Sequence, residues 1–386
     1  MKLKYINGPL ATWVETMCRG GKWQGAFIMS NKIINLFDLE KLFEEKMSLP
    51  IAGYYKSGAR DEVTLKKNRD IYNNVELLPK LLRDVSKVDT SLSILDQNLN
   101  NPIILAPTAM QQMAHIDGEC ASAIASENLG CAMTLSTISN KSIEEVGPLN
   151  TKLFFQLYFA KDRKITEKML KKIKKNGFKA IVFTVDAPQL GTRERDERNN
   201  FKMPDHLSLG NFKGTIFEKF DSRDGSSMNM HNELLFDRAL TFETINWIKE
   251  TSGLPVLVKG ILRPDDAAKC IENNADGVII SNHGGRQLDT AVPTLKQVEP
   301  IRKELGDKQL IIVDGGIRRG TDILKCLALG ANAIQIGRPV LWGLGYDGQK
   351  GVELVLKILL EEFVESMILT GCRSIEEVSR DLVQFN

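Results

Sequence analysis

The feature that most constrains the fold is an alternation of short apolar runs with amphipathic helical segments, repeated along the chain. Each run is a few residues long and stops at a glycine or a polar side chain. Such a run predicts a buried strand that leads into a loop. Eight runs occur, at residues 102–106, 132–135, 153–155, 180–183, 255–258, 277–280, 310–313 and 333–336.

The segments between the runs have helical periodicity, as in residues 118–128, 161–176 and 264–273. Strands that alternate with helices imply right-handed crossovers and a parallel sheet. Eight such units predict an α/β fold, a closed (β/α)8 TIM barrel rather than an open doubly wound sheet. Polar and glycine residues follow every run at its carboxyl end, which is where barrels of this type place their chemistry.

The repeat leaves both ends of the chain and one long loop to be assigned. A helical pattern with Leu36 and Leu39 on one face predicts an N-terminal helical extension, and we place the barrel domain at residues 33–386. Residues 1–32 show no clear periodicity and are left as an unassigned extension. Residues 189–236, in βα loop 4, are long for a βα connection, which usually spans about 2–6 residues. We therefore expect a lid or binding loop there.

Composition and termini argue against several classes of protein. Basic and acidic residues nearly balance, 51 against 49, so no nucleic-acid partner is expected. The six cysteines include no CxxC pair, which argues against a disulfide framework or a metal site. No run approaches the roughly 20 apolar residues of a membrane span, and residues 203–235 are too polar for a membrane-binding segment. Without a convincing signal peptide or a terminal S-K-L, we expect a cytoplasmic protein.

His283 is one of four histidines and follows the sixth run, with Arg286 three residues later. A lone histidine at this position could simply cap a strand. Asp186 also follows a run, and it could merely cap the turn at Pro188. Alternatively, Asp186 could hold a protonated His283, because a carboxylate partner raises imidazole basicity and fixes the tautomer.

The charged residues at the other strand ends have two interpretations each. Lys259 ends the fifth run; it could pair with a structural carboxylate or stabilise negative charge on an electron-accepting ring. Arg193 and Arg286 could be solvated loop charges, or together they could bind a small carboxylate bidentately. Tyr54 and Tyr158 could join them through their hydroxyl groups.

Glycine-rich steps after the seventh and eighth runs indicate a phosphate site. Asp314-Gly315-Gly316-Ile317-Arg318 and Gly337-Arg338 lie where TIM barrels commonly bind phosphate. Glycine lets backbone N–H groups approach the oxyanion, and arginine binds it bidentately. Because the chain has no GxGxxG after its first run and no GxxxxGK[ST], a Rossmann NAD site and a P-loop are not supported.

These stretches resemble the FMN-dependent α-hydroxy acid oxidase and dehydrogenase family, in its glycolate oxidase and hydroxyacid oxidase branch. The resemblance covers about residues 33–385. The matching stretches are YYKSGA (54–59), APTAMQQMAH (106–115), FFQLY (154–158), TVDAPQLGTRE (184–194), LVKG (257–260), SNHGGRQLD (281–289), DGGIRRGTD (314–322), IGRP (336–339) and GCRSIEEVSR (371–380).

The resemblance implies a role for each matching residue on the substrate side. His283 corresponds to the active-site base and Asp186 to the carboxylate that supports it. Tyr158 corresponds to a tyrosine near the substrate hydroxyl. The positions that bind the substrate carboxylate correspond to Arg193, Arg286 and Tyr54.

The resemblance also implies that the cofactor is FMN. Lys259 corresponds to the lysine beside the flavin ring. The positions around the ring and the ribityl chain correspond to Pro107, Thr108, Ala109, Ser136, Gln156, Thr184 and Ser281. The positions at the ribityl and phosphate end correspond to Asp314, Gly315, Gly316, Arg318, Gly337 and Arg338.

The implied reaction is FMN-dependent oxidation of an L-2-hydroxy acid to the 2-oxo acid, with hydride transfer and a carbanion route both open. This chain has Leu-Ser-Thr-Ile at 135–138. The corresponding stretch in the glycolate-preferring branch resembles Leu-Ser-Ser-Trp. Since Ile138 is smaller than an indole, we expect a pocket that favours lactate or longer acids over glycolate. Ala109 is as in oxidase-like members, so we expect O2 as acceptor and H2O2 as product.

Three alternatives stay open. A quinone- or carrier-linked L-lactate dehydrogenase of the same family differs only in the electron acceptor. An FMN barrel isomerase would need neither the two arginines nor the His–Asp pair, and a non-catalytic flavoprotein would not need these positions filled. The expected partners are the 2-hydroxy acid and O2, and the family tendency implies a homotetramer.

Overall fold

The computed structural model describes residues 33–213 and 237–385, and within them the eight predicted strands close into a parallel barrel. The strands pair in sequence order, and the eighth pairs with the first. The TIM-barrel prediction is therefore confirmed. The strands are β1 (Ile103–Leu105), β2 (Ala132–Ser136), β3 (Leu153–Leu157), β4 (Ala180–Thr184), β5 (Val256–Ile261), β6 (Gly277–Ile280), β7 (Leu310–Asp314) and β8 (Ala333–Ile336).

A helix follows each strand and packs its apolar face against the barrel. The helix Arg163–Lys175, for example, buries Met169, Leu170 and Ile173, which recur at helical spacing. The last helix of the series is bent at Asp347 and Gly348. The eight helices are Gly118–Asn128, Ile143–Val146, Arg163–Lys175, Glu243–Ser252, Pro264–Glu272, Leu295–Leu305, Gly320–Ala328 and Arg338–Thr370.

Strand β5 runs further than its apolar run predicts. It continues through Lys259 and Gly260, and its register against β6 shifts between Lys259 and Ile261. Gly260 has a φ of 111°, and a glycine inside a strand commonly marks such a bulge. The side chain of Lys259 is therefore fixed by the strand itself and is buried.

The N-terminal extension is helical, as predicted, with helices at Leu36–Lys46, Leu49–Lys56 and Val63–Asp70. The first helix begins with a capping box between Asn35 and Asp38. Pro50 lies in the first turn of the second helix, where a missing N–H costs little. The expected boundary after residue 32 stays a prediction, because residues 1–32 lie outside the described part of the chain.

Two short antiparallel pairs were not predicted. Val75–Leu77 pairs with Val383–Phe385, and Leu92–Ile94 pairs with Gln97–Leu99 as a hairpin. Ile94 and Leu99 of the hairpin belong to the same buried cluster as residues that point into the barrel. The hairpin thus packs on the interior at the end where the strands begin. Among the described residues, no helix is long and apolar enough to cross a membrane.

Candidate active site at the carboxyl end of the barrel

His283 lies in a tight turn after β6 and has a partner at each ring nitrogen. Nδ1 lies 2.9 Å from Asp186 Oδ1, and Nε2 lies 3.3 Å from the Tyr158 hydroxyl. The backbone φ is 59°, which is uncommon outside glycine, and the His283 N–H donates to Ser281 Oγ at 3.1 Å. The structure thus brings the histidine, the carboxylate and the tyrosine together. Because Asp186 accepts from Nδ1, the Nε2 lone pair is left to accept a proton.

The charge of Asp186 is set by two opposing effects. Burial alone would raise the pKa of Asp186, but the neighbouring His283 and then Lys259 outweigh burial and hold that pKa below its ordinary value. The carboxylate is therefore ionised at neutral pH and can stabilise a protonated imidazole. Burial also raises the pKa of Tyr158, so its hydroxyl stays protonated.

Arg193 and Arg286 meet at the ring of Tyr54. Their Cζ atoms lie 5.6 and 4.9 Å from the ring centroid, and the Tyr54 ring stacks on Phe201 with centroids 4.2 Å apart. Burial lowers the pKa of Arg286, and the positive charge of Arg193 lowers it further. Two like charges side by side, Arg193 buried and Arg286 half-buried, favour binding of an anion between them.

Lys259, Ser281 and Asp314 form a second cluster across β5, β6 and β7. Lys259 Nζ donates to Ser281 Oγ at 2.8 Å and lies 3.2 Å from Asp314 Oδ2. Ser281 donates to the same carboxylate oxygen at 2.9 Å. Lys259 therefore pairs with a carboxylate while it also lies at the barrel end that holds His283.

Small polar side chains end the strands between these clusters. Ser136 Oγ donates to Gln156 Oε1 at 3.2 Å. Gln156 Nε2, Thr184 Oγ1 and Asp314 Oδ1 are buried and have no hydrogen-bond partner among the described residues. An unpaired buried polar group costs about 1–3 kcal/mol and calls for an explanation. An amide donor, a hydroxyl and a carboxylate acceptor together suit a polar heteroaromatic ring with a hydroxylated chain.

The glycine turn after β7 suits the phosphate of such a ligand. Gly315 and Gly316 have φ values of 107° and 77°, and a Cβ on Gly316 would collide with the carbonyl oxygen of Asn68. Only glycine fits there. Gly337 after β8 lies beside Thr108, whose methyl group would be 3.5 Å from an added Cβ. The remaining residues of that β1 turn, half-buried, are Pro107 and Ala109.

Arg318 and Arg338 are half-buried in this region, and each donates to backbone carbonyls. Arg318 lies over the Trp342 ring, 4.7 Å from its centroid, and donates to the Ile317 carbonyl at 2.8 Å. Burial lowers the pKa of Arg318, and it lowers that of Arg338 to about 9. Partly desolvated cations of this kind gain from a bound anion. The carbonyls that accept from Arg338, at 2.9, 2.9 and 3.0 Å, are those of Tyr55, Ser57 and Gly284.

The described part of the loop after β4 packs over the end of β2. Asn211 Nδ2 donates to the carbonyls of Ser136 and Thr137 at 3.2 and 3.1 Å. Ile138, the next residue, is buried. Residues 214–236 lie outside the described chain, so the lid stays a prediction.

Sequence reasoning missed two residues that the structure places against the arginines. Ser57 Oγ donates to Asp196 Oδ1 at 2.9 Å, and both residues are buried. Ser57 stands in the YYKSGA stretch but was given no role. Asp196 follows Arg193 by three residues, close to one helical turn, and that spacing was an available signal.

Comparison with known proteins gives a consistent result. The family model described as FMN-dependent dehydrogenase matches residues 43–385. The chain is 43% identical to glycolate oxidase 3 of Arabidopsis thaliana over 350 residues, which is 90% of this chain and 95% of the relative. It is also 43% identical to L-lactate oxidase of a Nostoc species over 351 residues, 89% and 96% of the two chains. A structure of mandelate oxidase with (S)-4-hydroxymandelic acid superposes with a TM-score of 0.87 at 35% identity, covering 92% of this chain and 99% of that one.

Proposed function

The chain belongs to the family of FMN-dependent dehydrogenases, and from this premise we propose that it oxidises L-lactate or a longer L-2-hydroxy acid in preference to glycolate. FMN is the cofactor, and when bound it accepts the two electrons that leave the substrate. We further propose that the electrons pass on to O2, so that H2O2 is the second product. The family premise carries FMN-dependent oxidation of a 2-hydroxy acid; the size preference and the acceptor are the proposal.

The observation that supports the reaction best is the contact of His283 with Asp186 at 2.9 Å, at the barrel end that also holds Arg193 and Arg286. We assign His283 as the base. Hydride transfer from the hydroxyl-bearing carbon and removal of the Cα proton both require a neutral imidazole with a vacant Nε2. Asp186 fixes that tautomer through Nδ1 and stabilises the imidazolium that forms.

Arg193 and Arg286 are assigned to the substrate carboxylate, with Tyr54 beside them. Their guanidinium groups lie at one ring, with Arg193 buried and Arg286 half-buried, so a carboxylate bound there would be partly desolvated and held in a fixed orientation. Tyr158, 3.3 Å from His283 Nε2, lies where it can hydrogen bond to the hydroxyl that loses the proton.

The unpaired polar atoms support the cofactor assignments. We assign Gln156, Thr184 and Lys259 to the ring of FMN and Asp314 to its ribityl hydroxyl groups, since each offers a buried donor or acceptor. The remaining assigned ring and ribityl contacts are Pro107, Thr108, Ala109, Ser136 and Ser281. The phosphate is assigned to Gly315, Gly316, Arg318, Gly337 and Arg338, where glycine backbone and half-buried cations are available.

Ile138 supports the preference for larger acids. It is buried in the turn after β2. Its side chain is smaller than the tryptophan indole found at this position in the stretch resembling Leu-Ser-Ser-Trp of the glycolate-preferring branch. A hydrophobic pocket discriminates by about 1–3 kcal/mol per methylene. The names of the relatives cover glycolate, L-lactate and mandelate, so identity alone does not select among them.

An anaerobic titration of the FMN-loaded protein tests the reaction. L-lactate should bleach the flavin absorption band in proportion to the amount added, and kcat/KM should rise from glycolate to lactate. A higher kcat/KM for glycolate would overturn the size preference, and no bleaching by any of glycolate, L-lactate and 2-hydroxyhexanoate would overturn the reaction.

The acceptor is tested by the same mixture in air. One H2O2 should form per lactate consumed, at the rate of turnover. If turnover in air is slow and a soluble quinone accelerates it many-fold, the protein is a quinone- or carrier-linked dehydrogenase.

A further inference from the structure

Asp196 is a buried carboxylate to which the proposed reaction gives no role. It is 5% exposed. Its Oδ1 accepts a hydrogen bond from Ser57 Oγ at 2.9 Å, and its Oδ2 lies 3.6 Å from Arg193 Nε. Oδ2 has no hydrogen-bond partner among the described residues. A buried carboxylate with an unpaired oxygen destabilises the fold, so its presence calls for a functional explanation.

Ser57 connects Asp196 to the second arginine. Arg286 Nη1 donates to the Ser57 carbonyl at 2.9 Å and lies 3.2 Å from Ser57 Oγ. The Ser57 hydroxyl has one proton to donate, and two acceptors are within reach, Asp196 Oδ1 and the Tyr54 carbonyl at 3.0 Å. The proton is directed to Asp196, because a charged carboxylate oxygen is the stronger acceptor. Asp196 therefore contacts Arg193 directly and Arg286 through one hydroxyl.

The charges explain why such a contact is needed. Arg193 and Arg286 are like charges at one tyrosine ring, and the charge of Arg193 adds to burial in lowering the pKa of Arg286. Burial raises the pKa of Asp196, and the two arginines oppose that rise. One anion between two cations reduces their repulsion and leaves a net positive charge of one, which a single carboxylate would neutralise.

We propose that Asp196 is a positioning residue that, together with Ser57, fixes the spacing of the Arg193 and Arg286 guanidinium groups for one substrate carboxylate. The inference rests on the proposed function, because it presumes that these two arginines bind the acid. The four residues come from three separate parts of the chain: Ser57 from the N-terminal extension, Arg193 and Asp196 from the loop after β4, and Arg286 from the loop after β6. Fixing them to one another requires a contact of this kind.

The test uses the FMN-loaded, full-length protein and its Asp196→Ala and Asp196→Asn variants. Dissociation constants are measured from flavin absorbance for oxamate, which has a carboxylate, and for lactamide, which is neutral. We expect Asp196→Ala to weaken oxamate binding and to raise KM for L-lactate by about tenfold or more, since misplacing a binding group by an ångström is enough for that. Lactamide binding and kcat should change far less. Asp196→Asn keeps an acceptor for Ser57 and should show a smaller rise.

Asp276→Ala is the matched control, because it removes a carboxylate that also pairs with a cation, Lys249 at 2.8 Å, at the opposite end of the barrel. It should leave both dissociation constants unchanged. The inference is overturned if Asp196→Ala weakens oxamate and lactamide equally, lowers kcat without raising KM, or changes neither. It is also overturned if Asp196→Asn binds oxamate as poorly as Asp196→Ala. If no 2-hydroxy acid reduces the wild-type flavin, the proposed function fails instead, and that outcome is visible before any variant is made.

Discussion

At the amino end of the barrel, where the strands begin, polar side chains hydrogen bond to neighbouring strands. At the carboxyl end, several buried polar side chains have an atom without a hydrogen-bond partner among the described residues. Asn332 Oδ1 accepts from the Ile311 N–H of β7 and from Arg302 Nη2, both at 2.8 Å. Asp276 Oδ2 accepts from the Val256 N–H at 2.8 Å, and its Oδ1 binds Lys249. Each such residue precedes one strand and caps its neighbour, so this end stabilises the fold.

The carboxyl end follows the opposite rule. All buried side-chain polar atoms without a partner among the described residues lie there. They are Gln156 Nε2, Thr184 Oγ1, Asp186 Oδ2, Asp196 Oδ2, Asp314 Oδ1 and Gln335 Oε1. Because each costs stability that the folded chain alone does not recover, the difference indicates that these groups serve a ligand. Substitutions at the carboxyl end should therefore change the reaction, whereas substitutions at the amino end should change stability.

The largest effect should come from His283. Replacing His283 by Ala removes the base, and we expect the rate of flavin reduction by L-lactate to fall by about 10²–10⁴-fold. Stopped-flow absorbance measures that rate. FMN content should stay close to wild type, since within the described residues the side chain of His283 hydrogen bonds to Asp186 and Tyr158 and not to the glycine turns assigned to phosphate.

Asn332→Ala is the opposite case. It should lower Tm and leave the reduction rate of the folded enzyme unchanged. If His283→Ala reduces its flavin at the wild-type rate, or Asn332→Ala slows reduction in fully folded enzyme, the division between the two ends is wrong.

A smaller effect is expected from Ile138, which we propose lines the substrate pocket. Ile138→Trp should shift the ratio of kcat/KM for L-lactate over glycolate toward glycolate by about 10–200-fold. Ile138→Leu keeps the volume and should leave the ratio nearly unchanged. Steady-state assays with both acids check this, and an unchanged ratio in Ile138→Trp would show that Ile138 does not line the pocket.

The barrel itself was predictable because its signal is local. Each strand is buried on both faces, so it appears in the sequence as a continuous apolar run, and the polar residue after it marks its end. The run 180–183 and the strand Ala180–Thr184 differ by one residue. The hairpin at Leu92–Ile94 and Gln97–Leu99 was not predicted, because only Ile94 and Leu99 are fully buried in it.

The site was predictable only where a residue follows one of the apolar runs in the sequence. His283, Asp186 and Lys259 all follow one closely, so topology alone brings them to one end of the barrel. The contact of Ser57 with Asp196 joins residues 139 positions apart, in a helical extension and a long loop. No periodicity specifies the path of either segment, and their meeting is fixed by tertiary packing.

At the amino end, we expect Asp276→Ala to cost about 1–3 kcal/mol of unfolding free energy, because it leaves the Val256 N–H without its acceptor. Denaturant unfolding at fixed FMN measures this. Steady-state kinetics of the folded variant should match wild type. A variant with unchanged stability, or with altered kcat/KM for L-lactate, would contradict the structural role given to this end.

The smallest effect concerns two carboxylates within the carboxyl end itself. Asp186 has a folded-state pKa below its ordinary value, because His283 and Lys259 outweigh burial, whereas burial raises the pKa of Asp196. An acid with a lowered pKa stabilises the fold above its unfolded pKa of about 3.9, and that contribution is lost as pH falls through the folded pKa. An acid with a raised pKa does the reverse, because the fold then holds the proton more tightly than the unfolded chain.

Tm of wild type is therefore compared with Asp186→Asn and with Asp196→Asn between about pH 3 and 6, with excess FMN. Relative to Asp186→Asn, wild type should lose stability as pH falls below about 3.9. Relative to Asp196→Asn, wild type should gain stability as pH falls toward that value from above. Opposite slopes would show that one carboxylate is held charged for a protonated His283 and that the other is kept in place at an energetic cost. Slopes of the same sign would mean that a single effect, desolvation or cation pairing, governs both.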